Sequence, residues 1–218
     1  PFELRAAKGL ANERWYLSDT ESNTAAHRLA KATHILLPES WQGKLKPTHT
    51  YPGILPQAYV PQNCEAWSSA RGQVQIQLDI PSEDLVVFHR KITGDGVHDS
   101  NEVVNYQPAI SKMHIHFVEN KESAAAMDGS VWELPVQATL FDGVLTGSTT
   151  LAAEAVVQGV PTLLISKAKR GFLTYLADQP HFFHWNEDDL FDGRFSKMAN
   201  DWMDAMRTAR STGRTAVV

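Results

Sequence analysis

The stretch that most constrains the fold runs from Gly143 to Ile165. An apolar strand, Gly143-Val-Leu145, precedes a hydroxyl-rich turn at Gly147 and an apolar helix predicted over Thr149 to Gln158. A second apolar strand follows at Thr162 to Ile165. This strand, helix and strand order needs a crossover connection, which is typical of parallel α/β sheets. In open sheets of this class, the strand-to-helix turns lie at the carboxyl edge, where ligands bind.

The turn after the first of these strands has the features of an anion site. Gly147 permits positive φ and close ligand approach, and Ser148, Thr149 and Thr150 add hydroxyl donors. The first N–H groups of a helix have no partner within it, and the positive end of the helix dipole attracts an anion. The alternative interpretation is that Ser148 or Thr149 serves only as an N-cap.

Glu154 lies in the second turn of the predicted helix. It is not three residues after any Ser or Thr of the turn, so it cannot complete a capping box. After its first residue, Thr149, the polar residues of the predicted helix are Thr150, Glu154 and Gln158, which follow a single i, i+4 line. We therefore expect a polar ligand along this line, with Glu154 accepting two hydrogen bonds from a ribose diol. The alternatives are a Glu154 that faces solvent or a neighbouring lysine.

The remaining patterns predict two domains. Residues 1–60 are predicted to be the tail of an amino-terminal α/β domain plus a connector after Pro38, with strands at 14–17 and 34–37. Residues 61–218 are predicted to be a carboxyl-terminal Rossmann-like nucleotide-binding domain with a final helix. Because two short strands cannot form a stable parallel sheet, we expect the chain to lack its beginning.

Further elements follow from hydrophobic periodicity. Alternating apolar residues predict a half-buried strand from Gln73 to Ile80. The other predicted elements are strands at Leu85 to Arg90, Met113 to Val118 and His181 to His184, and helices at Leu134 to Phe141, Gly171 to Ala177 and Asp192 to Arg210. One side of the last helix is apolar and is expected to face the core; it carries Phe195, Met198, Trp202, Met203 and Met206.

Composition excludes several function classes. With 20 basic and 25 acidic side chains, the chain has no net positive charge, which disfavours binding to the phosphate backbone of a nucleic acid. A single cysteine, Cys64, allows neither an internal disulfide nor a zinc ribbon. No apolar run approaches the roughly 18 residues of a membrane span, and residues 1–8 lack the order of a signal peptide. We therefore expect a cytoplasmic protein with neither nucleic acid nor a membrane span among its interactions.

Two further groups could take part in catalysis. Lys167, Lys169 and Arg170 follow the second apolar strand, so cations at the same sheet edge could neutralise a diphosphate leaving group; ordinary surface positions are the alternative. His98 and Asp99, in a glycine-flanked loop, could act as a base and its orienting carboxylate. The alternative for this pair is a solvated loop.

Two pairs of histidines raise the question of a metal. His114 and His116 point to one face of a predicted strand, and His181 and His184 are near neighbours. No third ligand stands at a recognisable spacing from either pair. We therefore predict no metal site.

The run Gly147-Ser-Thr-Thr-Leu-Ala-Ala-Glu-Ala-Val-Val-Gln-Gly-Val-Pro161 resembles the carboxyl-domain signature of nucleotide-sugar enzymes of the GT-B architecture. It is similar to the peptidoglycan N-acetylglucosaminyltransferases and the UDP-N-acetylglucosamine 2-epimerases. A narrower likeness is to an uncharacterised prokaryotic GT-B-like family of unknown function. Three other places carry that narrower likeness: Asp19-Thr-Glu21, Tyr51-Pro-Gly53 and the loop with His98-Asp99.

This resemblance implies an α/β, GT-B-like fold of two Rossmann-like domains across a cleft, with the amino-terminal domain truncated. It implies diphosphate at the Gly147 to Thr150 turn, ribose at Glu154, and an acceptor or sugar near the connector and residues 93–101. The implied function is that of a glycosyltransferase with a nucleotide-sugar as substrate, an unknown acceptor and no cofactor. A UDP-N-acetylhexosamine 2-epimerase-like enzyme and a non-catalytic binding module are the alternatives, and a homo-oligomer is one candidate assembly.

Overall fold

The computed structural model describes residues 2–21, 24–60, 74–91, 104, 106–121, 134–187, 192–214 and 217. The chain divides into two compact units: Pro1–Ala58 with Lys169–Leu176, and Tyr59–Ala168 with Ala177–Val218. The division predicted at residue 60 stays a prediction. Within the described ranges, no helix is long and apolar enough to cross a bilayer.

The described part of the chain is a mixed α/β structure in which every strand pair is parallel. Residues 74–78 are helical. The other elements, in chain order, are α1 (Phe2–Ala6), β1 (Trp15–Leu17), α2 (Thr24–Ala30), β2 (His34–Pro38), β3 (His49–Tyr51), a 3₁₀ helix (Leu55–Ala58), β4 (Val86–Lys91), α3 (Gln107–Ile110), β5 (His116–Lys121), α4 (Leu134–Ala138), β6 (Gly143–Thr146), α5 (Thr149–Val157), β7 (Thr162–Ile165), α6 (Gly171–Ala177), β8 (Phe182–Trp185) and α7 (Gly193–Thr212).

The first unit contains a three-stranded sheet in the order β1-β2-β3. In its register Trp15 is opposite His34, and Leu36 is opposite His49. Strand β3 lies inside the segment predicted as a connector, so that prediction is wrong for His49–Tyr51. The Pro, Gly and Thr residues around this strand are typical of turns, and β3 has only three residues, so the sequence pattern does not predict it.

The second unit contains a five-stranded sheet in the order β5-β4-β6-β7-β8. Its first strand along the chain, β4, has β5 on one side and β6 on the other, so the direction of winding reverses between β4 and β6. Ligands of open parallel sheets bind outside the carboxyl ends of the strands at such a reversal. The two units therefore have Rossmann-like α/β architecture, and the larger sheet has a defined switch point.

Helices cover both faces of the larger sheet. Val87, Leu145 and Leu163 face a core that includes Trp202 of α7. The intervening strand residues face the opposite core, which is built from Val86, Phe88, Val144 and residues of α4 and α5, namely Ala138, Leu151 and Ala155. Because both faces of the central strands are buried, their sequences are nearly continuous apolar runs.

The expected apolar side of the last helix is confirmed in α7. Phe195, Trp202 and Met206 are buried, and Met198 and Met203 pack against the same core. The indole N–H of Trp202 donates to the Pro161 carbonyl over 3.0 Å, which satisfies its buried polar atom.

The strand predicted from Gln73 to Ile80 is wrong, because residues 74–78 are helical. The side chain of Gln75 is buried, and its amide donates to the carbonyls of Pro81 and Asp84 over 3.2 and 3.1 Å. Ile76 is 81% exposed. The alternation predicted that Ile76 faces the core and Gln75 faces solvent, and the structure shows the opposite for both residues.

An ion pair closes the amino edge of the larger sheet. The Asp142 carboxylate is fully buried and accepts from Arg210 Nε over 2.7 Å and from the Val86 amide over 2.7 Å. Arg210 also donates to the Glu83 carbonyl over 2.8 Å and to the carbonyl of Asp84. Both charges are therefore paired and hydrogen-bonded, which a buried ion pair requires.

We expect Arg210→Met to lower the free energy of unfolding by about 3–5 kcal/mol, because it leaves the Asp142 carboxylate buried without its cation. Urea denaturation measures the loss. Arg207→Met is the matched control on the same helix, since Arg207 pairs with Asp204 at an exposed position, and it should cost less than about 1 kcal/mol. Equal losses in the two variants would contradict this account.

His89 is a fully buried residue of β4, and its Nε2 lies 3.0 Å from the hydroxyl of Tyr106. The pKa of His89 is lowered from 6.5 to about 4, chiefly by burial; the charge of Lys91 acts in the same direction, and the charge of Glu119 opposes both. The folded protein therefore keeps a neutral imidazole there at pH values where an exposed histidine is protonated.

We expect this histidine to make folding pH-dependent. Between pH 6.5 and about 4, the unfolded chain binds a proton at His89 that the folded chain does not. The His89 contribution to stability is therefore complete above pH 6.5 and is lost as the pH falls towards 4. The loss is on the order of 3 kcal/mol. Unfolding free energies measured across this range in wild type and His89→Leu should differ in slope; parallel curves would reject the assignment.

Candidate functional site

The carboxyl ends of β4 and β6 form the switch point of the larger sheet. Arg90 near the end of β4 is opposite Thr146, the last residue of β6. The chain then passes through Gly147 and Ser148 into α5. The turn that the sequence singled out therefore lies at the edge where parallel sheets bind ligands.

Ser148 is the N-cap of α5. Its backbone is extended, with φ −83° and ψ 117°, and its Oγ accepts from the Leu151 amide over 3.4 Å. Its own amide donates to Thr146 Oγ1 over 2.9 Å. The N-cap interpretation is thus confirmed for Ser148, but capping and ligand binding are compatible because the cap uses only one of the first amides.

Gly147 is buried and does not use the left-handed backbone region. Among the described residues, the glycines with positive φ are Gly9, Gly53, Gly159 and Gly213. Gly147 therefore does not use the positive φ that its residue type permits.

Two amides of the turn remain open to a ligand. In the described part of the chain, the N–H groups of Thr149 and Thr150 have no hydrogen-bond acceptor, whereas Ala152 donates to the Ser148 carbonyl over 3.0 Å. Thr150 is exposed and Thr149 is half-buried. Adjacent free amides at the first turn of a nine-residue helix are suited to an anion.

Glu154 is half-buried, and within the described ranges it makes no ion pair with a lysine. Its Oε1 accepts from the hydroxyl of Tyr59 over 2.7 Å. Burial raises the pKa of Glu154; the Tyr59 hydrogen bond and the charge of Arg90 act in the opposite direction. Across the described residues, Oε2 of this carboxylate has no hydrogen-bond donor.

Arg90 is the site residue that sequence reasoning missed. It is only 8% exposed, and its Nη1 donates to Asn120 Oδ1 over 2.8 Å. Strand alternation puts Arg90 on the same face of β4 as Val86 and Phe88, the face that α5 covers. The sequence offered one indication of this position, namely a charged residue at the end of the apolar run that begins at Leu85.

Only part of the polar line on α5 is open to a ligand. Gln158 is buried, and its amide donates to the Pro135 carbonyl of α4 over 2.9 Å and to the Glu154 carbonyl over 3.1 Å. It therefore joins two helices. Thr150 and Glu154 are the members of the line that remain available for recognition.

The three predicted cations belong to different units. Lys167, exposed after β7, lies in the second unit, and Lys169 and Arg170 lie in the first. Their contact with a diphosphate stays a prediction. His98 and Asp99 fall outside the described residues, so their catalytic role also stays a prediction.

No three His, Cys, Asp or Glu side chains form a metal-ligand group in the described ranges. His116 Nε2 contacts Asp84 Oδ2 at 2.8 Å. The Nε2 atoms of His181 and His184 lie 2.8 and 2.9 Å from the carbonyls of Val156 and Ser166, and burial lowers the pKa of both histidines. These carbonyls hold both imidazoles in place.

The first unit gathers the Asp19-Thr-Glu21 motif with the residues that follow β2. Glu21 Oε1 accepts from the Gly171 amide over 2.7 Å. A Cβ on Gly171 would lie 1.9 Å from the Ser40 carbonyl, so this close approach requires glycine. Three polar atoms at this edge are buried without a hydrogen-bond partner among the described residues: Glu21 Oε2, Ser40 Oγ and the Tyr51 hydroxyl.

Tyr51 ends β3, at the same carboxyl edge. Burial, together with the nearby charge of Asp19, raises the pKa of Tyr51 to about 12, so its hydroxyl stays protonated at neutral pH. The turn predicted after it is confirmed by Gly53, whose φ is +73°. A hydroxyl and a carboxylate oxygen without hydrogen-bond partners among the described residues are therefore buried at one edge of the smaller sheet.

No protein-family model, curated protein or solved structure matches the chain. The resemblance to GT-B enzymes therefore remains an expectation from the sequence motifs.

We expect Tyr59→Phe to raise the pKa of Glu154 further, because it removes the hydroxyl that stabilises the ionised carboxylate. Titration of the Glu154 carboxyl carbon by NMR measures the change. Tyr175→Phe is the control, since that hydroxyl accepts from Gln57 instead. A Glu154 titration curve unaltered by Tyr59→Phe would show that the hydrogen bond is absent in solution.

Proposed function

We propose that this protein is a nucleotide-sugar-dependent glycosyltransferase of GT-B type, with the nucleotide diphosphate bound at the Gly147–Thr150 turn and the ribose at Glu154. The observation that carries the proposal is the pair of acceptor-free amides at Thr149 and Thr150, at the switch point of a Rossmann-like sheet. Helix N-termini at this position are suited to phosphate groups.

The charges near the turn support a ligand with an anionic part and a neutral part. The amides of Thr149 and Thr150 and the hydroxyls of the turn donate hydrogen bonds to phosphate oxygens. Glu154 would repel a phosphate, so its Oε2 suits a donor such as a ribose hydroxyl. Hydroxyl donors also stabilise the ionised form of a carboxylate whose pKa is raised by burial.

In the transfer we propose, an acceptor hydroxyl attacks the anomeric carbon and loses its proton to His98, oriented by Asp99. The nucleotide diphosphate leaves with the electron pair of the broken bond, and Lys167, Lys169 or Arg170 neutralises its charge.

We expect calorimetric titration to detect binding of UDP and UDP-N-acetylglucosamine. Thr149→Pro removes one amide donor at the first helical position, where proline is tolerated, and should weaken binding at least tenfold. Thr149→Ala is its matched control, because it keeps the amide and should have a smaller effect. Glu154→Ala should also weaken binding about tenfold or more, since it removes a charged acceptor.

Glu187→Ala is the control for the carboxylate, because Glu187 is paired with Arg194 at an exposed position. Activity assays then separate the alternatives. A transferase releases UDP only when an acceptor is present, whereas an epimerase converts the nucleotide-sugar alone. Binding without either reaction would indicate a non-catalytic module, and absence of UDP binding would count against all three functions.

A further inference from the structure

Two threonine–histidine pairs occupy equivalent places at the amino ends of β2 and β3. Thr33 precedes His34, the first residue of β2, and Thr48 precedes His49, the first residue of β3. Each threonine hydroxyl lies next to the Nδ1 atom of the histidine that follows it, at 3.0 Å and 2.9 Å respectively. The two imidazoles are therefore held in the same way on neighbouring strands.

Each hydroxyl also contacts the backbone of the adjacent strand. Thr33 Oγ1 accepts from the Arg14 amide over 2.7 Å and donates to the Arg14 carbonyl over 3.2 Å. Thr48 Oγ1 makes the same two contacts with Ile35, over 2.7 and 3.1 Å. The hydroxyls thus extend the hydrogen-bond ladder beyond the ends of the strands.

These contacts favour one imidazole tautomer. A hydroxyl has one proton and two lone pairs, and a carbonyl can only accept. When the proton goes to the carbonyl, the lone pairs take the backbone amide and an Nδ1–H of the ring. In this arrangement His34 and His49 carry hydrogen on Nδ1, which leaves a lone pair on each Nε2 of the neutral rings.

Neither Nε2 atom has a partner in the described structure. The centroids of the His34 and His49 rings are 5.6 Å apart, with 40° between the ring planes. A metal ion about 2 Å from two imidazole nitrogens requires ring centroids roughly 5–6 Å apart. The spacing of the rings therefore suits one shared ion.

Trp15 supports the pair from β1. Its ring stacks on His34 with centroids 4.4 Å apart and 12° between planes, and it lies 5.0 Å from His49. Alternation along the strands puts all three side chains on one face of the sheet. His49 is exposed and His34 is half-buried, so an ion from solution can reach them.

We propose that His34 and His49 bind a divalent transition-metal ion that prefers imidazole nitrogen, namely Zn²⁺, Ni²⁺ or Cu²⁺. The histidines supply two ligands, and water supplies the others. Thr33 and Thr48 are positioning residues, since a metal-binding histidine usually bonds through its other ring nitrogen to a fixed acceptor. This site lies at the amino edge of the smaller sheet and is independent of the proposed nucleotide site.

The zinc titration uses the full chain without an affinity tag. Calorimetry with ZnCl₂ should detect one ion per chain. His34→Gln and His49→Gln should each weaken this binding at least tenfold, because a single imidazole remains. His116→Gln is the matched control: it is another exposed strand histidine, but its Nε2 contacts Asp84, and the zinc affinity should be unchanged.

The positioning residues give a second, distinct readout. Thr33→Val and Thr48→Val keep both histidines and should weaken zinc binding about tenfold or more. Thermal unfolding of each variant without zinc verifies that the fold is retained. Nitrogen-15 NMR of the imidazoles, recorded without metal, should show Nδ1–H tautomers for His34 and His49.

Three results would overturn the proposal. The first is zinc binding that survives His34→Gln or His49→Gln at full affinity. The second is absence of zinc binding at millimolar concentration by a wild-type chain that is folded. The third is an Nε2–H tautomer at both histidines, since that proton would occupy the proposed ligand atoms.

Discussion

The second unit depends on a single buried carboxylate at its amino edge. Asp142 precedes β6, accepts from the amide that begins β4, and pairs with Arg210 near the end of α7. Three segments distant in sequence therefore meet at one charge. Because β4 and β6 flank the switch point, fixing their amino ends also fixes the register that sets Arg90 opposite Thr146 at the edge of the candidate site.

Much of this unit could be predicted from local sequence. Strand β7 was predicted with its observed bounds, and the helix over Thr149 to Gln158 ends one residue earlier than predicted. Both are continuous apolar segments bounded by turn residues, so local signals agreed with burial. The same rules failed at residues 74–78, where the buried side chain of Gln75 donates to carbonyls several residues away. Alternation alone could not reveal that bond.

The sequence could predict only the part of the candidate site that one segment of the chain builds. Ser148 and Glu154 became candidates because a strand, a turn and a helix follow one another within that segment. The partner of Glu154 is Tyr59, 95 residues earlier, and no periodicity links the two. Arg90 could not be predicted for a similar reason, because its position next to the candidate site depends on the parallel pairing of β4 with β6.

Hydroxyl side chains at strand ends bond to some of the backbone amides that follow, so an amide left without an acceptor stands out as a possible ligand-binding group. Thr146, Ser166 and Ser18 follow or end three different strands, and the oxygen of each accepts from the amide two residues later, over 2.9, 3.1 and 3.4 Å. Such side-chain bonds replace the missing ladder where a parallel strand stops. One amide after each of these strands is thus satisfied by a side chain. After β6 this bond reaches only the Ser148 amide, whereas the amides of Thr149 and Thr150, which begin α5, have no acceptor among the described residues. These two amides are the reason that the turn after β6 is the candidate ligand site.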